Sequence, residues 1–223
     1  MRKTLNVLLT ALFIVSIFVL IITFSIGLPI YCRFFYYLQI NPLNIPEITG
    51  YDYAQIKYAY DQVLNYLTLP NAAFGTGVFK HSADGAAHFA DCKVLFNLNA
   101  ILLLCSLIFS TVTIILDKKG IIKLYRPFGF SPAFYSAALI FIVIAILVSI
   151  VSVDFNAAFT VFHHLFFPGK DNWTFNAYYD EIILALPQQF FLNCAILIAL
   201  SIFIITLSII IINLVKKAKN NKK

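Results

Sequence analysis

Four long runs of apolar residues divide the chain and are separated by shorter, more polar stretches. The runs cover residues 5–26, 94–116, 133–153 and 190–214. Each is close to the roughly 20 apolar residues that a helix needs to cross the hydrocarbon core of a bilayer. The runs are apolar on every face, whereas a membrane-spanning barrel needs shorter strands of alternating polarity. The pattern therefore predicts four membrane-spanning helices.

The stretch between the first two runs contains the clearest additional element. Apolar residues recur there at helical spacing between residues 51 and 67, which predicts an amphipathic helix. Glycines follow this helix, and Asp84-Gly85 predicts a turn. We also expect a hairpin between residues 75 and 84. The segment is thus predicted to combine short helices with irregular backbone.

The basic residues are concentrated in the two termini and in the second loop. Of the 16 Lys and Arg residues, eleven lie there: Arg2, Lys3, Lys118, Lys119, Lys123, Arg126, Lys216, Lys217, Lys219, Lys222 and Lys223. Because basic loops remain on the cytoplasmic side of a membrane, we expect both termini in the cytoplasm. The first and third loops, residues 27–93 and 154–189, then form a small extracellular cap. The chain is predicted to be an all-α membrane protein with one domain over residues 1–223.

Two alternative interpretations of the basic ends have weaker support. Arg2 and Lys3 precede the first run as they would in a signal peptide, but the run is long and lacks a small-residue cleavage site. We therefore expect this run to be a span. The tail at residues 216–223 is compatible with nucleic-acid binding, but anionic lipid headgroups explain its charge better. No nucleic-acid partner is expected.

Neither the cysteines nor the spans point to a metal site or a pore. The four cysteines, Cys32, Cys92, Cys105 and Cys194, lack the paired spacing of metal ligands. A disulfide between Cys32 and Cys92 remains open, as does simple packing of four small apolar side chains. Charged residues are nearly absent from the spans, which argues against an ion channel or a transporter.

All four histidines, His81, His88, His163 and His164, lie in the two segments predicted to be extracellular. Asp91 follows His88 by about one helical turn, where its carboxylate could fix the tautomer of the imidazole. His88 and His163 are therefore candidates for acid–base catalysis by paired imidazoles, whereas His81 and His164 are interpreted as bystanders. The plain alternative is that histidines at a membrane interface bind headgroups or loop carbonyls.

Other chemistries have less support. A metal site built from the histidines and Asp91 lacks the H-E-x-x-H spacing, so we expect no metal. Ser82 lies beside a histidine but not within the G-x-S-x-G motif of a serine hydrolase. Trp173 and the neighbouring phenylalanines also suit an interfacial aromatic belt. Paired imidazoles remain the best-supported chemistry.

Two motifs resemble those of a known family. They are His88-Phe89-Ala90-Asp91-Cys92-Lys93 and Phe162-His163-His164-Leu165-Phe166-Phe167-Pro168-Gly169, with Trp173, Asp180 and Leu186-Pro187 after the second. In this order, after a first span and a Tyr-rich helix, they resemble the Lit-type lipoprotein intramolecular transacylases over most of the chain. Cys92 stands where an aliphatic residue is expected for that family. We interpret this departure as neutral for catalysis.

The resemblance implies an enzyme of the bacterial cell membrane that acts on diacylglyceryl lipoproteins. It would move the sn-2 acyl chain of the S-diacylglyceryl group to the α-amino group of the same N-terminal cysteine, giving the lyso-form without a cofactor. Diacylglyceryl lipoproteins and membrane lipid are the implied partners, and a monomer is expected. A non-enzymatic lipid- or lipoprotein-binding membrane protein is the main alternative, and a small transporter subunit is the second.

The resemblance also implies which residues form the site. His88 and His163 correspond to the two catalytic histidines of the family, with His164 as the alternative if the motif is shifted by one position. One imidazole would take the proton of the α-ammonium group, while the other stabilises the oxyanion or protonates the leaving oxygen. The substrate-orienting candidates are Asp91, Asp154, Asp180, Tyr31, Phe162, Phe166 and Trp173. Each aspartate is equally suited to be a helix N-cap or a solvated charge.

Overall fold

The computed structural model describes residues 2–221, which fold into α-helices joined by turns and irregular segments. The helices are α1 (Arg2–Tyr31), α2 (Arg33–Tyr37), α3 (Ile45–Thr49), α4 (Tyr53–Thr68), α5 (Ala83–Lys118), α6 (Pro132–Val153), α7 (Phe155–Phe166), α8 (Ile182–Ala185) and α9 (Gln188–Asn220). A 3-10 turn covers Pro127–Gly129. Residues 2–221 contain no strand, so the predicted all-α fold class is confirmed.

Four of these helices, α1, α5, α6 and α9, are long and apolar enough to cross a membrane. The prediction of four spanning helices is therefore confirmed. The turn expected at Asp84-Gly85 is wrong, because both residues lie in the first turn of α5. The Ser82 hydroxyl accepts a hydrogen bond from the Gly85 N–H at 2.9 Å and caps this helix end. The negative charge of Asp84 is also favourable next to a helix N-terminus.

The hairpin expected between residues 75 and 84 is wrong as well. This segment consists of turns and irregular backbone before α5 begins, and it packs along α4. The Gly77 N–H donates to Oε1 of Gln62 at 2.8 Å. Gly77 has a positive φ of 60° and lies so close to Ala59 that an added Cβ would come within 2.9 Å of it. The side chain of Gln62 on α4 thus satisfies a backbone N–H that a second strand would otherwise pair.

The described chain forms two compact units. The first unit comprises residues 2–26, 100–150 and 198–221. Its buried apolar core contains Phe13, Ile17, Ile21, Leu124, Ile140 and Ile202. Hydroxyl groups link its helices, since Oγ of Ser16 lies 2.8 Å from Oγ of Ser110 and donates to the carbonyl of Ser106 at 3.0 Å. Small hydroxyl side chains allow close helix packing and remain hydrogen-bonded in an apolar environment.

The second unit comprises residues 27–99 and 151–197. Its centre is a pair of stacked rings, Tyr36 and Tyr60, with centroids 3.8 Å apart. The Tyr36 hydroxyl donates to the carbonyl of Ala185 at 2.7 Å, so this buried polar group is satisfied. The stacked pair and this hydrogen bond connect α2, α4 and α8 within the unit.

The amphipathic helix predicted between residues 51 and 67 is confirmed as α4. Its buried face consists of Ile56, Ala59, Tyr60, Val63, Leu64 and Leu67. The helix begins with a capping box in which the Asp52 side chain accepts from the Gln55 N–H and the Gln55 side chain accepts from the Asp52 N–H. Capping and the apolar stripe together define this helix from local sequence alone.

Candidate active site

Two histidines lie side by side in the second unit, one on α5 and one on α7. His88 is near the N-terminal end of α5, and His163 is in the last turn of α7. The centroids of their imidazole rings are 5.8 Å apart, and the ring planes are inclined by 34°. Only 5% of His88 and 7% of His163 is exposed. The structure therefore brings the two candidate catalytic histidines together as a buried pair.

The hydrogen bonding of His163 defines the tautomer of its neutral imidazole. Nδ1 lies 2.7 Å from the carbonyl oxygen of Phe159, and a carbonyl can only accept, so Nδ1 carries the proton. Nε2 then has a free lone pair. Burial lowers the pKa of His163, the hydrogen bond to Phe159 opposes this shift, and the neighbouring charge of His164 supports it. His163 is therefore a neutral imidazole with a basic Nε2 at pH 7.

The surroundings of His88 leave one ring nitrogen without a partner. Nε2 lies 3.4 Å from Sγ of Cys92, which follows on the same face of α5. Nδ1 is buried and has no hydrogen-bond partner in the part of the chain that the structure describes. An unpaired polar atom in a protein interior is costly, so Nδ1 of His88 is a candidate contact for a bound polar group.

Asp91 does not form the expected hydrogen bond to the imidazole of His88. Its carboxylate accepts instead from Nζ of Lys170 at 2.5 Å and from Nδ2 of Asn172 at 3.1 Å. The ammonium group of Lys170 is a full positive charge and binds a carboxylate more strongly than an imidazole N–H does. Asp91 therefore ties α5 to residues 167–175, which we call the covering segment.

The covering segment places aromatic rings on both imidazoles. Trp173 stacks on His163 with ring centroids 4.6 Å apart. Phe167 and Phe175 meet His88 edge-on, with centroids at 4.9 Å and 5.5 Å. These three rings lie against the two buried imidazoles and contribute an apolar wall to the site.

The other aromatic candidates lie at different distances from the pair. Phe162 meets His163 edge-on at 5.4 Å, and Phe166 packs on Phe162 with centroids 4.6 Å apart. Both are 46% exposed. Tyr31 is 48% exposed and makes no ring contact with a histidine among the described residues. The structure thus brings Phe162 and Trp173 to the pair, with Phe166 behind them and Tyr31 apart.

The two remaining aspartate candidates stabilise helix ends. Asp154 is the N-cap of α7, and its Oδ1 accepts from the Ala157 N–H at 3.0 Å. Asp180 is 5% exposed and accepts from both the N–H and the hydroxyl of Ser82, at 2.7 Å and 3.0 Å. Because Ser82 in turn caps α5, Asp180 fixes the start of the helix that carries His88. Neither carboxylate contacts an imidazole of the pair.

The two histidines interpreted as bystanders have separate environments. His164 is exposed and meets the edge of Trp173, with centroids 5.4 Å apart. Nδ1 of His81 lies 2.9 Å from the hydroxyl of Thr76. Within the second motif the structure therefore places His163, not His164, beside His88.

Several residues of the site were not predicted. The sequence does not distinguish Phe167 and Phe175 from the other aromatic residues, and no role is predicted for Lys170. Cys92 was interpreted as neutral, although its position four residues after His88 on a helix signals contact between the two side chains. All four cysteines are free, so Cys32 and Cys92 do not form a disulfide. Among the described residues no group of three or more His, Cys, Asp or Glu side chains forms a metal cluster.

Comparisons with known proteins identify a family and similar solved structures. A family model described as lipoprotein intramolecular transacylase Lit matches residues 11–191. An in meso structure of the membrane-integral lipoprotein intramolecular transacylase Lit from Bacillus cereus is similar over 99% of this chain and 99% of that chain, with a TM-score of 0.86 and 25% sequence identity. A variant of that protein with one histidine replaced by alanine is similar over 98% and 97%, with a TM-score of 0.76 and 25% identity. No curated relative matches the chain.

Proposed function

Because the chain belongs to the Lit family of lipoprotein intramolecular transacylases, we propose that it transfers the sn-2 acyl chain of an S-diacylglyceryl cysteine to the α-amino group of that cysteine. Family membership makes the chain an acyltransferase, in preference to a lipid-binding protein without activity or a transporter subunit. Its four apolar helices make it an integral membrane protein. The product of the transfer is an N-acylated lyso-lipoprotein.

The observation that carries the proposed mechanism is the buried pair of His88 and His163, with ring centroids 5.8 Å apart. Each ring has one nitrogen free of a hydrogen bond to the described protein: Nε2 of His163, whose other nitrogen binds Phe159, and Nδ1 of His88. One such nitrogen can accept a proton while the other donates one. Acyl transfer from oxygen to nitrogen requires both a proton acceptor and a proton donor.

In the first step, Nε2 of His163 accepts a proton from the α-ammonium group. The amine nitrogen, now carrying a lone pair, attacks the carbonyl carbon of the sn-2 ester and forms a tetrahedral oxyanion. In the second step, the nitrogen releases a second proton to bulk solvent, the bond between that carbon and the glyceryl oxygen breaks, and the neutral amide forms. The proton taken up in the first step passes from an imidazole to the glyceryl oxygen. An ester is exchanged for an amide within one molecule, so neither water nor a cofactor takes part.

His88 is the proposed donor to the oxyanion. We assign the thiol of Cys92 as the donor to Nε2 of His88, 3.4 Å away, and a neutral imidazole with an accepting Nε2 carries its proton on Nδ1. Nδ1 of His88 is the buried atom that lacks a partner. In this arrangement a substrate oxygen satisfies Nδ1–H, and the bond strengthens as negative charge develops on that oxygen.

The enzyme contributes chiefly by orientation, because the amine and the ester belong to the same lipid head. Held in the reactive geometry, such groups react far faster than the same groups in free solution. Trp173 and Phe162, which contact His163, are the proposed walls against which the diacylglyceryl group folds. One chain supplies both imidazoles, so a monomer suffices for the reaction.

The charge pattern supports a location for this chemistry. Basic residues cluster at the termini and between α5 and α6, which favours both termini in the cytoplasm of a bacterial cell. Residues 27–93 and 154–189, which lie within the second unit, then form the extracellular cap. Diacylglyceryl lipoproteins are anchored in the outer leaflet of the cell membrane, where they have access to a site on that side.

The decisive experiment uses the purified full-length protein and a synthetic diacylglyceryl lipopeptide. Fragmentation mass spectrometry locates the acyl chains before and after incubation. We expect one chain to move to the α-amine with the wild-type protein, and His88→Ala and His163→Ala each to lower the rate by at least about 100-fold. His81→Ala is the matched control and should act like wild type, because His81 binds Thr76 away from the pair.

Two outcomes would contradict the proposal. If the wild-type protein leaves both acyl chains on the glyceryl group, the activity is not the proposed transfer. If transfer occurs but either histidine variant retains the wild-type rate, the function stands and the role of that imidazole is wrong.

A further inference from the structure

A cavity of about 1010 Å³ opens in the first unit. None of the residues that line it belongs to the histidine pair or to the covering segment. The cavity lies between the first turns of α1 and the loop that joins α5 to α6. Three cationic residues line it, Lys3, Lys123 and Arg126, together with the carboxylate of Asp117. We call it the basic cavity. Nothing in the proposed acyl transfer uses it.

The charges of the basic cavity are only partly compensated. Nη2 of Arg126 binds Oδ2 of Asp117 at 2.8 Å, so this pair is neutral overall. No ion pair is described for Lys3 or Lys123 within residues 3–221. Three cations and one carboxylate leave a net charge of two positive on the cavity wall. Such a wall attracts an anion.

The loop that forms the cavity is held in place by hydrogen bonds to side chains of α1 and α5. The backbone N–H groups of Lys123, Leu124 and Tyr125 donate in turn to Oδ1 of Asn6, Oδ1 of Asp117 and Oγ1 of Thr10, at 3.4, 2.9 and 2.9 Å. The side chain of Leu124 is buried. The wall is therefore formed before a ligand arrives, which lowers the entropic cost of binding.

The same loop presents apolar side chains outward. Ile121 is 57% exposed, Tyr125 is 61% exposed and Phe128 is 84% exposed. Because the loop connects two helices that can span a membrane, exposed apolar and aromatic side chains on it fit the level of the lipid headgroups. A cationic cavity with an apolar rim matches a molecule that is anionic at one end and apolar at the other.

We propose that the basic cavity binds the phosphodiester headgroup of an anionic phospholipid. Lys3 and Lys123 contact the phosphate oxygens, and Val7 and Ile122, which also line the cavity, contact the glycerol and the first methylene groups. Basic pockets next to spanning helices bind anionic headgroups in this way. The proposal is independent of the acyl-transfer mechanism, since it involves none of the residues of the histidine pair.

The experiment is native mass spectrometry of the full-length protein in detergent, titrated with phosphatidylglycerol or with phosphatidylcholine of the same acyl chains. We expect one phosphatidylglycerol to be retained and its affinity to exceed that of phosphatidylcholine. The double variant Lys3→Gln, Lys123→Gln should lower the affinity for phosphatidylglycerol by about 10-fold or more. The matched control, Lys118→Gln with Lys119→Gln, removes the same charge from the end of α5 and the residue after it, which do not line the cavity, and should bind like wild type.

Three results would overturn the proposal. Equal losses in the two double variants would show a general attraction of the lipid to positive charge and no site. Equal retention of the two lipids would show that the phosphodiester charge is not recognised. Displacement of phosphatidylglycerol by an equal concentration of inorganic phosphate would assign the cavity to free phosphate. Unchanged transacylase rates in both double variants show that the variants are folded.

Discussion

The Sγ atom of Cys92 lies 3.4 Å from Nε2 of His88, one turn further along α5. The interpretation of Cys92 as neutral for catalysis did not include this contact. A thiol is a weak donor, but it is the group described next to that nitrogen and therefore influences which ring nitrogen carries the proton. The two side chains form one functional pair in the proposed mechanism.

Replacing Cys92 by alanine is expected to lower kcat by about 3- to 10-fold with little change in KM. His88 loses a neutral hydrogen bond that orients its ring, and such a bond contributes about 0.5–1.5 kcal/mol. Cys92→Ser keeps a donor at the same place and should recover most of the rate. The measurement is the initial rate of acyl transfer on the lipopeptide. Equal losses in the serine and alanine variants would contradict the orienting role.

Replacing His164 by alanine is expected to make the enzyme more sensitive to acid. The charge of His164 contributes to lowering the pKa of His163, so its removal raises that pKa. His163 then gains its proton at a higher pH, and the neutral base is lost sooner as the pH falls. The ratio of variant to wild-type rate should be close to one near pH 8.5 and clearly lower near pH 5.5. A ratio that does not change with pH would contradict this coupling.

Gly85→Ala is expected to destabilise the protein by about 1–3 kcal/mol, because there is no space for the added methyl group. A Cβ at Gly85 would lie 2.2 Å from Oδ1 of Asp180, the carboxylate that binds Ser82 at the start of α5. Thermal unfolding in detergent measures the loss. Ala87→Ser is the matched control, since Ala87 lies on the same helix but is exposed. Equal melting temperatures for the two variants would argue against the steric conflict.

Asp91→Asn and Lys170→Met are expected to have the same effect, a decrease in kcat/KM of less than about tenfold. Both break the ion pair that holds the covering segment, and a partly exposed ion pair contributes only about 0–1 kcal/mol. Hydrogen exchange of residues 167–175 should increase in both variants. If Asp91 acted instead by orienting His88, only Asp91→Asn would slow the reaction.

The spanning helices could be predicted because each depends on a local property, a long apolar run. Helix α4 was equally predictable, since its capping box and its apolar stripe lie within a few residues of each other. The start of α5 could not be predicted from the sequence, because Gly85 taken alone suggests a turn. In the structure Ser82 caps this helix end and Asp180 holds Ser82. Asp180 is far away in the sequence, and local patterns carry no information about such contacts.

The pairing of His88 with His163 could be predicted, but the residues that surround the pair could not. Both motifs are expected on one side of the membrane, and the family resemblance pairs them. Neither the motifs nor the resemblance identifies the hydrogen-bond partner of Asp91. Spacing on the helix favours His88, whereas the structure supplies a stronger partner in Lys170, which belongs to another segment. A neutral partner nearby in the sequence competes here with a charged partner far away in the sequence. Only the folded structure shows which of the two binds the carboxylate.

The hydrogen bond between Nδ1 of His163 and the Phe159 carbonyl also defines what an inhibitor of this site must look like. Both groups belong to α7, so the helix itself holds the ring in one tautomer. A ligand therefore needs an N–H or O–H donor directed at Nε2, and an acceptor at that position would be rejected. A flat ring beside the donor could replace the stack of Trp173 on the imidazole. The tautomer of His163 thus determines where an inhibitor, like the lipid substrate, must carry its hydrogen-bond donor.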